Sequence, residues 1–451
     1  MFAARQKVRI HDGSGNVIGR GNALLNPFSF SGLAAGQRGV HLRVIETTDL
    51  HLHLLPYDYY ADRPSHGLGL ASAARVIEAA RAEAGNALLF DNGDFLQGTP
   101  MGDYVAQERG LAAGDLHPAI AAMNALDYDA ITLGNHEFNY GLDFLLRTLD
   151  GAAFPTVSAN LVTRRGADPR RDTPLVRPYV LLDRLLRDEW GHAHPIRIGV
   201  IGLAPPQVMD WDAQALEGRL QARDMVEAAR AWVPEMREAG ADLILALAHT
   251  GIGAARHHDG MENAAVPLAR LAGIDALMTG HSHLLFPSPA FSGMAEVDIA
   301  TGTICGKPAV MGGCWGAHVG IIDLLLVQDG GRWQVLGSRS EVRPVPRSEA
   351  ADTVPVQNPA GEASRRVTEA VGRLHEDTLS AIRRPVGHAD EVLHSYFTHL
   401  GQTAALQVVA AAQRDYVRAR IEDPELAALP ILSAVAPFKS GGRNGPAGYT
   451  E

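Results

Sequence analysis

Cysteine is almost missing from this chain of 451 residues, with Cys305 and Cys314 the two present. Nine positions apart around a glycine-rich segment, they either pair or stay as two small free thiols, and so few leave the redox compartment open. Long apolar runs are missing too. No stretch approaches 18 consecutive apolar residues, the length a membrane-spanning helix needs. The N-terminus has no basic segment followed by an apolar one, so no export signal is read there. A long basic block is also lacking. Lys and Arg number 40 against 51 Asp and Glu, for a net charge of -11 and a pI near 5.9. That balance argues against coating a nucleic-acid polymer, and any positive charge used on a phosphate must be local. What remains is an ordinary globular composition, 46% hydrophobic and 20% charged, long enough for two or more domains with cores of their own.

Residues 1–42 are rich in glycine and polar residues and read as a loosely packed N-terminal arm. From 43 to about 345 short apolar runs alternate with helical patterns, an α/β signature. The runs are RVIETT, NALLF, DAITL, IRIGVIG, DLILALA, IDALMT and VGIIDLLLV. Helices are expected over LASAARVIEAARAEAG and RDMVEAARAWVPEMREAG, each closed by a glycine. The Pro- and Ala-rich stretch that follows reads as a linker over 346–385, carrying a helix near 362–377. A last unit, 386–451, offers a long helix over about 401–420, then LPILSAVAPF and KSGGRNG. About 65 residues with one helix and one or two strands bury little core, so this unit is expected to be an incomplete domain or one that leans on the first.

Five of the apolar runs end in groups that bind metals: Asp49-Leu-His51, Gly93-Asp94, Gly134-Asn135-His136, His249, and Gly280-His281-Ser282-His283. Taken singly, each has an ordinary reading, Asp-x-His as a solvated loop, Gly-Asp as a turn, Gly-His-x-His as a satisfied loop. As a set at strand ends they point elsewhere, because an open α/β sheet gathers its functional groups where the strands' carboxyl ends meet the loops. Asp, Asn and imidazole together suit Zn, Mn or Fe. Seven such groups are too many for one tetrahedral ion but suit two ions sharing a carboxylate. Two ions about 3.5–4 Å apart polarise a phosphoryl group, lower the pKa of a shared water and steady the leaving oxygen. His11, His41, His66, His192, His194, His257 and His258 follow no such pattern and read as surface histidines.

The ordered set DLH, GD, GNHE, H and GHSH resembles the calcineurin-like metallophosphoesterases. The longer strings ETTDLH, DNGDFLQGTP, TLGNHEFNYGLDFL, PPQVMDWD, VPEMREAGAD, PAVMGGCWGAHVG and SAVAPFKSGGRNGP are similar to the bacterial 2',3'-cyclic-nucleotide 2'-phosphodiesterase/3'-nucleotidase family, from about residue 43 to 451. The resemblance implies a four-layer αββα metallophosphoesterase domain followed by the opening part of a 5'-nucleotidase-type α/β domain. It implies two divalent transition-metal ions, Mn, Zn, Fe or Co. One would be held by Asp49, His51, Asp94 and His283, the other by Asp94, Asn135, His249 and His281, with Asp94 as the bridge. His136 matches the histidine that donates to phosphate or leaving oxygen, and Glu137 carries no role beyond buttressing its loop. Cyclic 2',3'- and 3'-nucleotides are the implied substrates and the periplasm the implied compartment.

Related 5'-nucleotidases read GNHEFD, where the Asp orients the His. Here that position is Asn139, which accepts a hydrogen bond but brings no charge, so a His–Asp dyad does not carry over intact. The same Asn fits the 3'-nucleotidase branch. In the last unit Gly441 and Gly442 allow close backbone approach, and Arg443 is either a substrate contact or a solvated loop arginine. Most of what stacks a nucleobase in the family is not in this sequence. Two other readings stand beside the cyclic phosphodiesterase: a 5'-nucleotidase or UDP-sugar hydrolase, and a truncated metal- or nucleotide-binding remnant with weak catalysis.

Overall fold

The apolar runs pair into two sheets. The structure, a computed structural model, describes residues 8–11, 17–21, 39–346, 361–390, 393, 398, 401 and 403–435. The principal strands in chain order are β1 (Gly39–Thr47), β2 (Ala87–Asp91), β3 (Ala130–Thr132), β4 (Thr156–Val157), β5 (Tyr179–Arg187), β6 (Ala193–Leu203), β7 (Leu243–Ala248), β8 (Ala276–Thr279), β9 (Lys307–Gly312), β10 (His318–Asp329) and β11 (Arg332–Pro344). The first sheet runs β11-β10-β1-β2-β3-β4, with β1 to β4 parallel and β10 antiparallel to both its neighbours. In the second, β6 to β9 are parallel, β5 is antiparallel at one edge, and short strands Thr303–Ile304 and Val297–Asp298 extend the other.

Alternation decides what each face meets. In β1, Val40, Leu42 and Val44 pack between the sheets in one cluster with Ile198, Val200, Leu245 and Leu247 of β6 and β7, while Ile45 belongs to the cluster beneath the helices. Helices cover the two outer faces. On the first sheet lie α1 (Leu70–Glu83) and α2 (Pro118–Ala125), through Leu70, Ile77 and Ile120, and α4 (Glu362–Ile382) packs on those two helices through Val367 and Val371. On the second lies α3 (Met225–Glu238), through Met225, Val226, Val233 and Met236. Each buried Leu, Ile, Val or Met contributes roughly 1.5–3 kcal/mol. The result is the expected αββα arrangement.

His41 is not on the surface as expected. Its Nε2 lies 2.6 Å from Asp323 Oδ1, which also accepts from Arg43 Nε at 2.8 Å. Asp323 stands opposite Arg43 in the β10–β1 register, and Arg43 Nη1 donates to Ala80 O of α1. A helix covers the polar face of β1, so its polar side chains must pair. Of the other histidines read as surface residues, His192 and His258 are exposed, whereas His66, His194 and His257 are half-buried; the side chain of His11 lies outside the described residues. Gly240 closes α3 with φ 90°, but α1 ends at Glu83 with Ala84 as its extended cap, and Gly85 has no left-handed φ. Both cysteines are free thiols.

The helix expected over 362–377 continues to Ile382, and its His375 Nδ1 sits 2.8 Å from Tyr59 Oη. The chain divides into units 1–382 and 383–451. In the second, α5 (Ala404–Arg418) and a short turn of helix, Pro424–Ala427, bury no side chain, and residues 430–435 form no strand. Gly441, Gly442 and Arg443 lie outside the described residues.

Candidate metal centre

Each predicted ligand follows the carboxyl end of a parallel strand: β1 for Asp49 and His51, β2 for Asp94, β3 for Asn135, β7 for His249, β8 for His281 and His283. The loops meet. His249 Nε2 is 3.0 Å from Asp94 Oδ2 and 3.9 Å from Asp49 Oδ1. His51 Nε2 is 2.9 Å from His283 Nε2, which lies 3.3 Å from Asp49 Oδ1. His281 Nδ1 is 2.9 Å from Asn135 Oδ1. Asp49, Asp94 and His249 are fully buried.

The backbone is strained to bring this about. Asp49, His51, Asp94, His281 and His283 all have φ between 45° and 69°, a left-handed conformation that costs residues with a Cβ about 1–3 kcal/mol each. Tight loops let several ligands face one point within a few residues of a strand end. The glycines ahead of them supply space. A Cβ at Gly134 would stand 2.2 Å from Asp94 Oδ1, and one at Gly280 would stand 2.3 Å from Thr48 Oγ1 and 2.7 Å from Asp49 Oδ2.

The imidazoles show what the centre is built to hold. His249 Nδ1 donates to Asn92 O at 2.8 Å, which turns the buried Nε2 toward Asp94 Oδ2, 3.0 Å away. His51 Nδ1 donates to Gln97 O at 2.9 Å, leaving its Nε2 lone pair facing His283. His281 Nε2 donates to Glu262 Oε1 at 2.7 Å, so its Nδ1 lone pair faces the Asn135 oxygen. Three rings thus have their outer nitrogen fixed by an acceptor and their inner nitrogen turned into the cluster, the arrangement of metal-ligating histidines. Burial alone would lower His249, but Asp94 and Asp49 outweigh it and push it up to about 10. His283 is also pushed up to about 10, by its bond to Asp49 and then by Cys314. Burial would raise Asp94, yet His249, His51 and His136 hold it below the usual carboxylate range. Carboxylates that draw protons onto neighbouring rings mark a place that lacks positive charge. Three groups drawn from these residues, Asp49–His51–His283, His51–Asp94–His136 and Asp94–His249–His281, each bring their ligand atoms within 4.8 Å of one another and are able to bind metal ions.

Residues 42–285 match the calcineurin-like phosphoesterase family. The chain belongs to that family. It is 44% identical over 414 residues to a 2',3'-cyclic-nucleotide 2'-phosphodiesterase/3'-nucleotidase of Yersinia enterocolitica, covering 91% of this chain and 62% of that protein. It thus spans about three-fifths of that relative's length. The crystal structure of the calcineurin-like phosphoesterase YfkN from Bacillus subtilis is similar with a TM-score of 0.69 and 41% identity, over 77% of this chain and all of that one. A putative 5'-nucleotidase from Staphylococcus aureus, solved with alpha-ketoglutarate, shares the fold at a TM-score of 0.56 and 24% identity, over 74% of this chain and 58% of its own.

This calcineurin-like phosphoesterase carries three groups around its centre whose contacts were not legible beforehand. Glu137, fully buried, accepts from the backbone N–H groups of Gly134, Asp94, Phe95 and Leu96 at 2.6–3.1 Å, tying the loops after β2 and β3 together. Burial and the Asp94 carboxylate push it up to about 7, against the hydrogen bonds that favour its charged form. Its place beside His136 in GNHE was the signal available. Glu262, behind His281, lies in an unremarkable loop and gave none. Trp211 stacks on His281 with ring centroids 5.6 Å apart. His136 is half-buried: its N–H donates to Asp94 Oδ1 at 2.7 Å, and its Nδ1 meets Asn139 Oδ1 at 2.6 Å. Among the described residues no helix is long and apolar enough to cross a membrane.

Proposed function

We propose that the chain hydrolyses 2',3'-cyclic nucleotides to 3'-nucleotides, and these to nucleosides and phosphate, at a centre holding two divalent transition-metal ions. The observation that carries the reading is the set of inward ring nitrogens of His51, His249 and His281 gathered around Asp49 and Asp94, with His136 half-exposed beside them. Asp49, His51, Asp94 and His283 would hold one ion, and Asp94, Asn135, His249 and His281 the other. Bound there, the pair would supply Lewis acidity toward a phosphoryl oxygen and a water of lowered pKa. The chain's own residues do the rest. Gln97 O, Asn92 O and Glu262 fix the tautomers of His51, His249 and His281, and Glu137 keeps the loop bearing Asp94 against the loop bearing Asn135. His136, with Nδ1 engaged by Asn139, keeps Nε2 for the proton that the departing ribose oxygen needs. The 44% identity to a cyclic phosphodiesterase/3'-nucleotidase supports this substrate class over 5'-nucleotides.

The test is phosphate release and product identity with 2',3'-cyclic AMP, 3'-AMP and 5'-AMP in the presence of Mn²⁺ or Zn²⁺. Hydrolysis of the first two, abolished by a chelator and restored by metal, is expected. Release from 5'-AMP with no attack on the cyclic nucleotide would replace this reading by a 5'-nucleotidase.

A further inference from the structure

The string PPQVMDWD ends on Asp212, at the junction of two short helical turns, Val208–Trp211 and Ala213–Leu216. Asp212 is fixed there by its own backbone: its N–H donates to Val208 O at 3.0 Å, and its carbonyl accepts from Ala215 and Leu216 at 2.9 and 3.1 Å. Its half-buried carboxylate faces Asn139, whose Nδ2 lies 3.0 Å from Oδ1 and 3.2 Å from Oδ2. On the other side of the same amide, Asn139 Oδ1 lies 2.6 Å from His136 Nδ1.

These three contacts permit one arrangement of protons. An ionised carboxylate only accepts hydrogen bonds, so the amide must turn its NH₂ toward Asp212. Its carbonyl oxygen then faces His136 and only accepts, so Nδ1 of His136 must carry a hydrogen. That leaves Nε2 as the nitrogen that gives up or takes back a proton at the reacting oxygen. The carboxylate also polarises the amide, which makes Asn139 Oδ1 a better acceptor for the Nδ1 hydrogen. Without Asp212 nothing among these contacts opposes an amide flip, and the flipped NH₂ would bond the other tautomer.

We propose that Asp212 is a positioning residue that sets the tautomer of His136 through Asn139. It supplies at one remove the negative charge that Asn139 itself does not bring. In the cleavage step the P–O2' bond breaks, a water oxygen bonds to phosphorus and gives up its proton to solvent, and His136 Nε2 passes its proton to O2'. The kinetic part rests on the reading of His136 as proton donor, whereas the tautomer assignment does not.

Two measurements separate these. In Zn²⁺-loaded full-length protein labelled with ¹⁵N-histidine, the His136 resonances, assigned by their loss in H136A, should report Nδ1–H in the wild type and a mixture of tautomers in D212A. An unchanged tautomer in D212A overturns the inference whatever the substrate proves to be. Kinetically, D212A should lower kcat for 2',3'-cyclic AMP about tenfold, a part of the 10²–10⁴ that a general acid supplies, with KM and metal content unchanged. With bis-p-nitrophenyl phosphate, whose leaving group needs no proton, kcat should change less than twofold. The exchange N139D/D212N, which moves the charge next to His136 and keeps both hydrogen bonds, should restore kcat for the cyclic nucleotide to within about threefold of wild type. An equal loss on both substrates, a rise in KM alone, or no rescue by the exchange would each overturn the assignment. A wild type that shows the Nδ1–H tautomer but cleaves neither substrate would remove the proposed function and leave the tautomer assignment standing.

Discussion

Two helices of similar pattern meet different fates. Helix α4, Glu362–Ile382, buries Ser364, Val367, Thr368, Val371, His375, Thr378 and Leu379 within the first unit. Helix α5, Ala404–Arg418, buries none in the second. Both alternate apolar and polar residues, but amphipathicity only offers a face, and stabilisation requires another surface against it. The first unit has a sheet-on-sheet core and two helix-on-sheet cores, and the strained loops of the metal centre stand on them. Among its described residues the second unit has no buried apolar cluster. The buried apolar clusters and the candidate metal centre, among the described residues, both lie in the first unit.

If so, substitutions in the first unit should dominate. The largest effect is expected of Asp94→Asn, which alters the carboxylate facing His51, His136 and His249 together. Metal content should fall and hydrolysis should all but vanish, measured by elemental analysis and phosphate release. Next is His136→Ala, with kcat on the cyclic nucleotide down roughly 10²–10⁴ and metal content nearly unchanged. His136 also approaches His51 and Asp94 within ligand range, so loss of metal in this variant would make it a ligand instead.

A stability comparison follows. Asp323→Ala would leave Arg43 buried without its main partner, and breaking such a pair costs about 3–5 kcal/mol, read as a lower denaturation midpoint of the first unit. Val408→Ser on α5, at 50% exposure, should stay within about 0.5 kcal/mol. If Val408→Ser destabilised the chain as much as Asp323→Ala does, the contrast between the two units would be wrong.

The elements of the first unit were largely legible because their period was clean. RVIETT, DLILALA and IDALMT alternate or run apolar up to a ligand, whereas the crowding at the glycines ahead of Asn135 and His281 shows only in the Cβ distances. The support around the ligands was less so. Glu262 reaches His281 across 19 residues and Asp323 reaches His41 across 282, separations at which a single sequence carries no pairing signal. The left-handed φ at Asp49, His51, Asp94, His281 and His283 could not be read from residues that disfavour it. Asn139 was recognised as a missing charge, but Asp212, 73 positions on, was not recognised as its neighbour. Helix α4 was read as part of a linker because the Pro- and Ala-rich stretch before it dominated the local composition.

The central claim is that the first unit alone folds, binds the metals and performs the chemistry. The direct measurement is on a chain ending at Ile382, purified with Mn²⁺ or Zn²⁺, its bound metal counted and its hydrolysis of bis-p-nitrophenyl phosphate compared with that of the full chain. Two ions per molecule and a rate within a few-fold of the full chain are predicted. A folded short chain that binds no metal or leaves the diester intact, while the full chain does both, would contradict it.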